Sequence, residues 1–448
     1  MAKIPTIGYL KNLASLPKIV KNPALQFKKF LDNNDGLVKI HLPYPAIVTD
    51  HPELIRHVLQ KNHKNYIKTK VVRTIVKDHV GNGLLTSDGE YWLTQRRAIQ
   101  PGFHRGRLEK VSHIMVEEIN HFMDNVLDVY ADKGQEIDIV KEMTHLTFKI
   151  ISRSLFGRST DDNTLTEIDG IVTKMQEAVV ELVRKPFIKP WLRLTGKLKR
   201  TAALKAKGEQ LILDVIAERR TTKEEHDDLL EMLMETRYED GGGMSDRQLL
   251  DEANILMVAG HETSAMAMSW AWYLIATHPE VEEQLLNASI QGLGDKDPSF
   301  EALRGMGYSL QVIEEVMRLY PPAWITDREP LEDEEFEGLP IKKGLDIICL
   351  IYSLHRNPKY WSEPEKFDPE RFNEENKKQQ IPYAYIPFGG GPRLCIGNNF
   401  ALMEMQFILS MLVRRYQFEL VSTAPIELNP LVTLRPKDGI KMRIKKRV

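Results

Sequence analysis

The chain has 448 residues, 28% of them charged, and a formal net charge of −2. This balance is typical of a globular protein and gives no general affinity for a polyanion, so we expect no nucleic-acid partner. Lys, Pro and Asn interrupt every short apolar run of the N-terminal MAKIPTIGYLKNLASLPKIV, which argues against a signal peptide or a membrane span there. We therefore expect a cytoplasmic protein without a transmembrane anchor.

Two short strand patterns open the chain, and a series of helices follows them. The runs GLVKIHLP and YPAIVTDHP have the β-branched, turn-bounded pattern of strands. Apolar residues then recur at helical spacing over 109–131, 136–157, 163–184, 201–220 and 226–237. No repeat or linker divides the sequence, so we predict a single domain over residues 1–448. It should be mainly α, with small β-sheets from portions at about 30–60 and 325–352.

The best-marked helix begins at an S-x-x-Q capping box formed by Ser245 and Gln248 and ends at the THP of 277–279. Its length of about 32 residues corresponds to about 48 Å. Residues 265–276 are apolar on nearly every side, which predicts a buried central helix. Glu262 lies in the middle of this helix, where a charge requires a partner, water or a role.

After this helix the pattern predicts one more helix, a group of strands and then an irregular segment. The helix over 300–320 ends at RLYPP, because proline cannot continue it. EFEGLPIKKGLDIICLIY predicts strands, with Cys349 packed inside. The proline-punctuated segment 355–387 leads to a glycine-rich loop, FGGGPRLCIG, and an amphipathic helix follows this loop.

Cys395 in this loop is one of only two cysteines, so a disulfide framework is excluded. A helix N-terminus close behind a cysteine stabilises its thiolate. These residues alone leave nucleophilic attack, redox exchange and metal ligation open, although the loop has neither a histidine base nor a GK[ST] phosphate pattern. Glycines that allow close approach, Arg393 for an anionic group and a thiolate between them suit a haem.

The loop matches FxxGxRxCxG, the haem-ligand signature of the cytochrome P-450 monooxygenases, at Phe388, Gly391, Arg393, Cys395 and Gly397. Four further segments follow the order of that superfamily: WLTQR as WxxxR, AGHETS, the ExxR of EEVMRLYPP, and FDPERF. From about residue 30 to its end the chain thus resembles a soluble, bacterial-type, haem-thiolate member. The resemblance implies the cytochrome P-450 fold, with the haem between the long central helix and the cysteine loop.

The resemblance also implies the cofactor and its ligands. It implies a non-covalent haem b whose iron is bound by Cys395, with Phe388 shielding the sulfur. Trp92 and Arg96 lie on one face of a helix and would reach one haem propionate, and Arg393 would reach the other. Loop glycines Gly391 and Gly397 would let the backbone approach the ring.

The AGHETS segment resembles the oxygen-binding part of the family's central helix. Gly260 weakens the helix, and the hydroxyl of Thr263 can donate to the carbonyl of Ala259, which predicts a local kink where O2 and water bind. Glu262 and Thr263 would then form the catalytic acid and alcohol pair that relays protons.

Further residues are implied in supporting roles. Glu315 and Arg318 share a helix face, and Arg371 would join them in a structural network beneath the haem. Arg328 and His355 lie in regions of the family that supply additional propionate contacts.

The resemblance predicts a monooxygenase that inserts one atom of O2 into a C–H bond, by hydroxylation or oxidative O-demethylation. Because we recognise no flavin- or nicotinamide-binding segment, a separate ferredoxin or flavodoxin with its NAD(P)H reductase is the expected electron source. Such a carrier would dock on a basic face, which comprises Arg97, Arg105, Arg107 and Lys110. A peroxide-driven peroxygenase and a haem-thiolate gas sensor are the alternatives, and Glu262 with Thr263 argues against the first.

The small-molecule substrate is less determined, with fatty acids, terpenoids, aromatic compounds and O-methylated sugars as candidate classes. By resemblance, segments 63–86 and 184–200 wall the pocket and its entrance. Both are basic, with Lys68, Lys70, Arg73, Arg184, Lys185 and Lys189. This favours anionic or polar ligands over neutral terpenes.

Overall fold

The computed structural model describes residues 4–41, 45–157, 160–184, 188–222, 227–294 and 296–447, without the side chains of residues 184 and 189. The helices are α1 Tyr9–Lys21, α2 Pro23–Asp32, α3 Pro52–Arg56, α4 Lys77–Val80, α5 Gly89–Ile99, α6 Arg105–Phe122, α7 Asp128–Lys133, α8 Ile139–Phe156, α9 Asp162–Arg184, α10 Lys189–Leu194, α11 Lys197–Thr221, α12 Leu229–Glu235, α13 Asp246–Thr277, α14 Pro279–Leu293, α15 Gly307–Leu319, α16 Ile351–Leu354, α17 Glu374–Lys377 and α18 Asn398–Arg415. The strands are β1 Leu37–Ile40, β2 Ala46–Thr49, β3 Tyr66–Ile67, β4 Glu136–Asp138, β5 Thr326–Pro330, β6 Glu334–Phe336, β7 Leu339–Ile341, β8 Asp346–Cys349, β9 Tyr416–Leu420, β10 Leu428–Pro430, β11 Leu434–Pro436 and β12 Lys441–Lys446. The predicted fold class, mainly α with small sheets, is confirmed.

The largest sheet unites the two predicted β-rich portions in the order β1-β2-β8-β5-β3. β2 and β8 are parallel, with Ala46 beside Asp346, so residues 300 positions apart in the chain share one register. Cys349 is fully buried at the end of β8, and burial raises the pKa of its thiol to about 12. The prediction that Cys349 is a packed strand residue is confirmed.

The central helix α13 has the predicted bounds. Ser245 and Gln248 form the reciprocal capping box, and Trp270 and Trp272 are fully buried near its C-terminal end. α13 packs most extensively against α8, where a Cβ on Gly260 would lie 3.0 Å from the side chain of Ile151. The missing side chain at residue 260 therefore allows these two helices to approach closely. Among the described helices, none is both long enough and apolar enough to cross a membrane.

Element bounds differ from the predictions where a tertiary contact intervenes. The helix predicted over 109–131 is interrupted by a π-helical turn, Met123–Leu127. The helix predicted from residue 136 begins at Ile139, because β4 pairs with β12 and the carboxylate of Asp138 accepts the Val140 N–H. The C-terminal strands β9 to β12 were not predicted, since β4, β9 and β12 form a sheet only through distant partners.

A buried ionic network lies between α15 and the segment that leads to the cysteine loop. The Nε and Nη2 atoms of Arg318 donate to the carboxylate of Glu315 at 2.6 and 2.8 Å, and both side chains are fully buried. Arg318 also donates to the carbonyls of His355, Pro364 and Lys366 at 2.9, 2.6 and 3.0 Å. All five N–H groups of this guanidinium therefore have acceptors.

Arg371 joins this network, because its Nε lies 3.4 Å from Glu315 Oε1. Its Nη2 donates to the carbonyl of Glu363 at 3.0 Å. The structure thus brings together the three residues to which a structural role was assigned. Removal of one partner from a buried ion pair costs about 3–5 kcal/mol, since the remaining charge is left uncompensated.

Glu404 of α18 is buried and has no hydrogen-bond partner for either carboxylate oxygen among the described residues. Burial raises the pKa of this carboxyl from 4.5 to about 8, and Ser264 of α13 opposes the shift. Between these two values the folded chain holds a proton that the unfolded chain has released. The free energy of unfolding therefore falls as pH rises from about 4.5 to about 8.

We predict that Glu404→Gln removes this pH dependence. Between pH 5 and pH 8 the free energy of unfolding of the variant should fall less than that of wild type, by roughly 3–5 kcal/mol. Urea denaturation at both pH values measures the difference. Glu419→Gln, which removes a carboxyl from an exposed pair with Lys445, is the control and should leave the pH dependence unchanged. Parallel stability curves for wild type and Glu404→Gln would contradict the prediction.

Candidate functional site

The cysteine loop, residues 388–397, contains a short 3-10 turn, Gly391–Arg393, and ends at the N-terminus of α18. The backbone N–H of Cys395 donates to the carbonyl of Phe388 at 3.0 Å, which closes the loop. The thiol is accessible at its tip but surrounded by protein, and this burial raises its pKa. The N–H of Gly397 and the guanidinium of Arg96 act in the opposite direction, because both favour the thiolate.

The two glycines of the motif have different surroundings. Gly391 has φ +66°, and a Cβ there would lie 1.9 Å from the carbonyl oxygen of Leu59. Its lack of a side chain is required by contact with the protein backbone, and its role in the approach of a cofactor stays a prediction. Gly397 has φ −91°, and a Cβ there would only touch Phe103 at 3.8 Å. The protein itself therefore gives no reason for a glycine at position 397.

Arg393 is held in place on three sides. Its Nη2 donates to the carbonyl of Ser87 at 2.9 Å and to the carboxylate of Asp88 at 2.5 Å. Its guanidinium lies over the ring of Trp92, 4.3 Å from the centroid. Its Nη1 is buried without a hydrogen-bond partner, and burial lowers the pKa of Arg393 to about 10. One donor of this cation is thus left for a ligand.

Two more cations lie close to Arg393. Arg328 of β5 is 6% exposed, and burial lowers its pKa. Burial, together with the charges of Arg328 and Arg393, lowers the pKa of Lys68 to about 7. Asp88 raises the pKa values of all three cations, and Asp327 raises those of Lys68 and Arg328, but neither offsets the larger effect of burial. The cluster has the electrostatics of a site for an anion with more than one charge.

Arg96 follows Trp92 by one turn of α5, as predicted, and its Nη1 donates to the carbonyl of Leu394 at 2.8 Å. It therefore lies against the cysteine loop. His355 is the residue whose predicted role is wrong. One ring nitrogen, Nδ1, lies 3.3 Å from the carbonyl of Met317, and the other, Nε2, accepts the Ile386 N–H at 3.0 Å. Burial lowers the pKa of His355 to about 3, so the ring is neutral and has no free donor for a propionate.

The AGHETS segment exposes one face of α13. Thr263 Oγ1 donates to the carbonyl of Ala259 at 2.8 Å, and the side chain of Ala259 is exposed. This is the predicted hydrogen bond, but α13 remains α-helical throughout. A Cβ on Gly260 would meet Ile151 of α8, so the lack of a side chain allows close helix packing, and contact of Gly260 with the cofactor stays a prediction.

Glu262 has a partner that the sequence did not indicate. Its Oε1 accepts hydrogen bonds from Arg435 Nε at 2.7 Å and from the Thr433 hydroxyl, and Arg435 Nη2 lies 2.6 Å from the same oxygen. The carboxylate is 3% exposed, whereas the side chain of Arg435 is 30% exposed. Glu262 is therefore one half of a buried ion pair with Arg435 of β11, and it has the partner that a charge in the middle of this helix requires.

A cavity lies against α13 at Asn254 and Val258. Apolar side chains from four parts of the chain line it: Val76, Val80 and Leu85; Ile168, Ile171, Val172, Met175 and Val179; Ile212 and Val258; and Val432. Lys205 is the one Lys or Arg among the described lining residues, and it lies 3.6 Å from Glu209, which Arg247 also contacts at 3.3 Å. The cavity is therefore largely apolar and has no uncompensated positive charge in its described lining.

The described basic residues assigned to substrate binding have three different environments. Arg73 lies 2.6 Å from Glu329, and Lys68 belongs to the cluster with Arg393. Lys70 is exposed, and Lys185 and the side chains of Arg184 and Lys189 lie outside the described residues.

The predicted docking face is neutralised in a similar way. Arg107 pairs with Glu235 at 2.8 Å, Arg97 lies 3.4 Å from Glu239, and Lys110 contacts Asp227. Arg105 lies over the ring of Phe300, 5.4 Å from the centroid. The face thus offers an acidic carrier less uncompensated charge than the sequence suggests.

These observations fit a haem. An accessible thiol, an orphaned buried guanidinium donor and a cluster of under-compensated cations match its iron and its two propionates. The family model described as "Cytochrome P450" matches residues 2–443. This chain belongs to the cytochrome P450 family. P450s are haem-thiolate enzymes, and the predictions of an oxidoreductase and a monooxygenase are confirmed at this level.

Three P450 relatives illustrate the similarity. Cyclooctatin synthase of Streptomyces melanosporofaciens is 31% identical, over 96% of this chain and 92% of the relative. Cyclooctat-9-en-7-ol 5-monooxygenase of the same organism is 30% identical, over 92% and 88%. Echinocystic acid 23-monooxygenase of Saponaria officinalis is 31% identical, over 90% and 80%.

The sequence analysis missed several members of this P450 site. Lys68 was assigned to the substrate pocket, and Asp88, Thr433 and Arg435 were not considered. Asp88 could have been noticed, because it precedes α5 and stands close to the WxxxR motif in sequence. Arg435 gave no signal, since it is separated from Glu262 by 173 positions.

We predict opposite outcomes for the two glycines of the loop. Gly391→Ala should destabilise the P450 by at least about 3 kcal/mol, because the new Cβ meets a backbone carbonyl at a positive φ. Gly397→Ala, the matched control, should stay within about 1 kcal/mol of the wild-type haem-free protein. Chemical denaturation of haem-free protein measures both. Equal destabilisation of the two variants would contradict this distinction.

Proposed function

We propose that this P450 holds haem b through Cys395 and oxidises a C–H bond of a largely apolar substrate, with electrons from a separate ferredoxin or flavodoxin and its reductase. The observation that carries the cofactor assignment is the orphaned Nη1 of Arg393, within a cation cluster completed by Arg328 and Lys68. The two negatively charged propionates of the haem would offset the positive charge of this cluster that Asp88 and Asp327 leave uncompensated.

The thiol of Cys395 must lose its proton before the sulfur can bind iron. Burial raises the pKa of this thiol and therefore makes the deprotonation more costly. Arg96 and the N–H of Gly397 reduce the cost of this deprotonation. When bound, a thiolate-ligated haem activates O2 for insertion of one oxygen atom into a C–H bond. Arg393 and Trp92, fixed against each other at 4.3 Å, would orient one edge of the cofactor.

The proposed proton path uses Thr263 and Glu262. The hydroxyl of Thr263 donates to Ala259 O, so its oxygen lone pairs remain available to accept a hydrogen bond from water. Glu262 is the adjacent residue and the acid of the pair, and Arg435 stabilises its carboxylate. Together they would pass protons from solvent to the exposed face of α13.

The cavity supports an apolar substrate and not the anionic ligand that the sequence favoured. A carboxylate placed there would lose its hydration without gaining a free cation, because Lys205 is already compensated by Glu209. Two of the relatives act, by their names, on cyclooctat-9-en-7-ol and on echinocystic acid. We propose that this chain takes a cyclic hydrocarbon skeleton with few polar groups.

Matched ligands test the substrate class. We expect a neutral long-chain alcohol to bind at least about tenfold more tightly than the fatty acid of the same length, since the carboxylate is buried unpaired. Optical titration of the haem measures both affinities, with a cyclic terpenoid alcohol and an O-methyl sugar as further probes. Tighter binding of the fatty acid would refute the apolar assignment.

A carbon monoxide spectrum and a turnover assay of the purified protein test the cofactor and the electron source. Wild type should show the ferrous carbon monoxide band of a thiolate-bound haem, and Cys395→Ala should lose it. Product should form with NADPH, a ferredoxin and its reductase. Product with hydrogen peroxide alone would indicate a peroxygenase, and an unaltered band in Cys395→Ala would refute the ligand assignment.

A further inference from the structure

The hairpin formed by β10 and β11 contacts both the cavity and the acid of α13. Val432 at its tip lines the cavity, whereas Thr433 and Arg435 bind Glu262. The hairpin is anchored to the rest of the fold, because Trp270 Nε1 donates to Leu434 O at 2.8 Å and Trp324 Nε1 donates to Leu431 O at 3.1 Å. The donors that hold Glu262 therefore have fixed positions.

Both hydrogen bonds, from Arg435 Nε and from the Thr433 hydroxyl, are accepted by the same carboxylate oxygen, Oε1 of Glu262, and Arg435 Nη2 lies 2.6 Å from it. The described residues provide no hydrogen bond to Oε2. A carboxylate bound in this way at one oxygen by Arg435 and Thr433 has a defined orientation. Its second oxygen remains available for proton transfer.

We propose that Arg435 and Thr433 are positioning residues for proton delivery in this P450, and that they leave Oε2 of Glu262 as the oxygen that takes up a proton from solvent and passes it on beside Thr263. This inference rests on the proposed function. Neither residue contacts the reacting atoms, and both act through Glu262.

The balance of the reaction explains why orientation matters. One substrate C–H bond, one O2, two electrons from the reduced carrier and two protons from solvent give one C–OH bond and one water. Glu262 takes up a proton and releases it, so its own charge is restored after each turnover. When protons arrive at the wrong place, the same two electrons and two protons reduce O2 to hydrogen peroxide, and the substrate is not oxidised. Misplacement of Glu262 is therefore measurable as a loss of product per NADPH.

The test compares Arg435→Gln, Arg435→Lys and Thr433→Val with a matched control, Lys437→Gln. Lys437 lies just beyond β11 and pairs with Glu427 at 2.6 Å on the surface, so its loss removes the same charge from the same hairpin. Product and hydrogen peroxide per NADPH, the solvent isotope effect on NADPH oxidation and substrate affinity are measured in the complete system.

We expect Arg435→Gln to lower product per NADPH at least about fivefold, with a matching rise in hydrogen peroxide and a solvent isotope effect about twice as large. Thr433→Val should have a smaller effect in the same direction, and Arg435→Lys should recover most of the loss. Substrate affinity should stay within about twofold of wild type, because neither side chain lines the cavity. Lys437→Gln should behave as wild type.

The double variant Glu262→Gln/Arg435→Gln covers the case in which Arg435→Gln does not fold, because it leaves no unpaired buried charge. If the two residues act as one unit, it should lose no more product per NADPH than Glu262→Gln alone. Additive losses, or a normal product yield in Arg435→Gln, would overturn the proposal.

An infrared measurement on haem-free protein tests the contact without turnover. The carboxylate band of Glu262, assigned by difference from Glu262→Gln, should shift in Arg435→Gln and Thr433→Val but not in Lys437→Gln. An unshifted band would overturn the proposal. If wild type lacks the thiolate carbon monoxide band or forms no product with NADPH, the proposed function fails instead, whatever the infrared result.

Discussion

The position of the cysteine loop depends on one buried cation, Arg318. A guanidinium is stable in a protein interior only when its charge is paired and its donors are satisfied, and Arg318 meets both conditions through Glu315 and three backbone carbonyls. Those carbonyls belong to the irregular segment that precedes the loop. His355 extends the arrangement, because its neutral ring bridges the end of α15 and the N–H of Ile386. A segment without regular structure is thereby held by side chains of its neighbours.

Arg393 shows the opposite condition. It shares Asp88 with a cluster of cations that the described acids compensate only in part, and one of its donors has no acceptor. An unmet donor is not distinctive by itself, because Nε of Arg371 in the structural network also lacks a hydrogen-bond partner; Arg393 differs because it lies among the cations Arg328 and Lys68. The contrast between Arg318 and Arg393 therefore separates the residues that hold the loop from those suited to a cofactor. An anion that binds this cluster would also stabilise the fold, because it binds only the folded chain.

Successive residues of α13 serve different neighbours, because each is rotated by about 100° from the one before. Gly260 faces α8, Glu262 faces the β10 and β11 hairpin, and Thr263 shares the exposed face with Ala259. Ser264 turns toward Glu404 of α18. A single helical segment thus combines close packing, an ion pair and an open face. The hairpin that binds Glu262 also carries Val432 to the cavity, so one element contacts both the cavity and this acid.

The sequence by itself determined what is local. The capping box of Ser245, the Glu315 and Arg318 pair and the Thr263 to Ala259 hydrogen bond all join residues within one turn, where helix geometry fixes the distance. The tertiary structure decided the partners of Glu262, the neutral state of His355, the cluster around Lys68 and the strands of the C-terminal segment. Packing brings those groups together from distant parts of the chain, and burial then sets their charge. A periodic pattern in sequence carries no information on either.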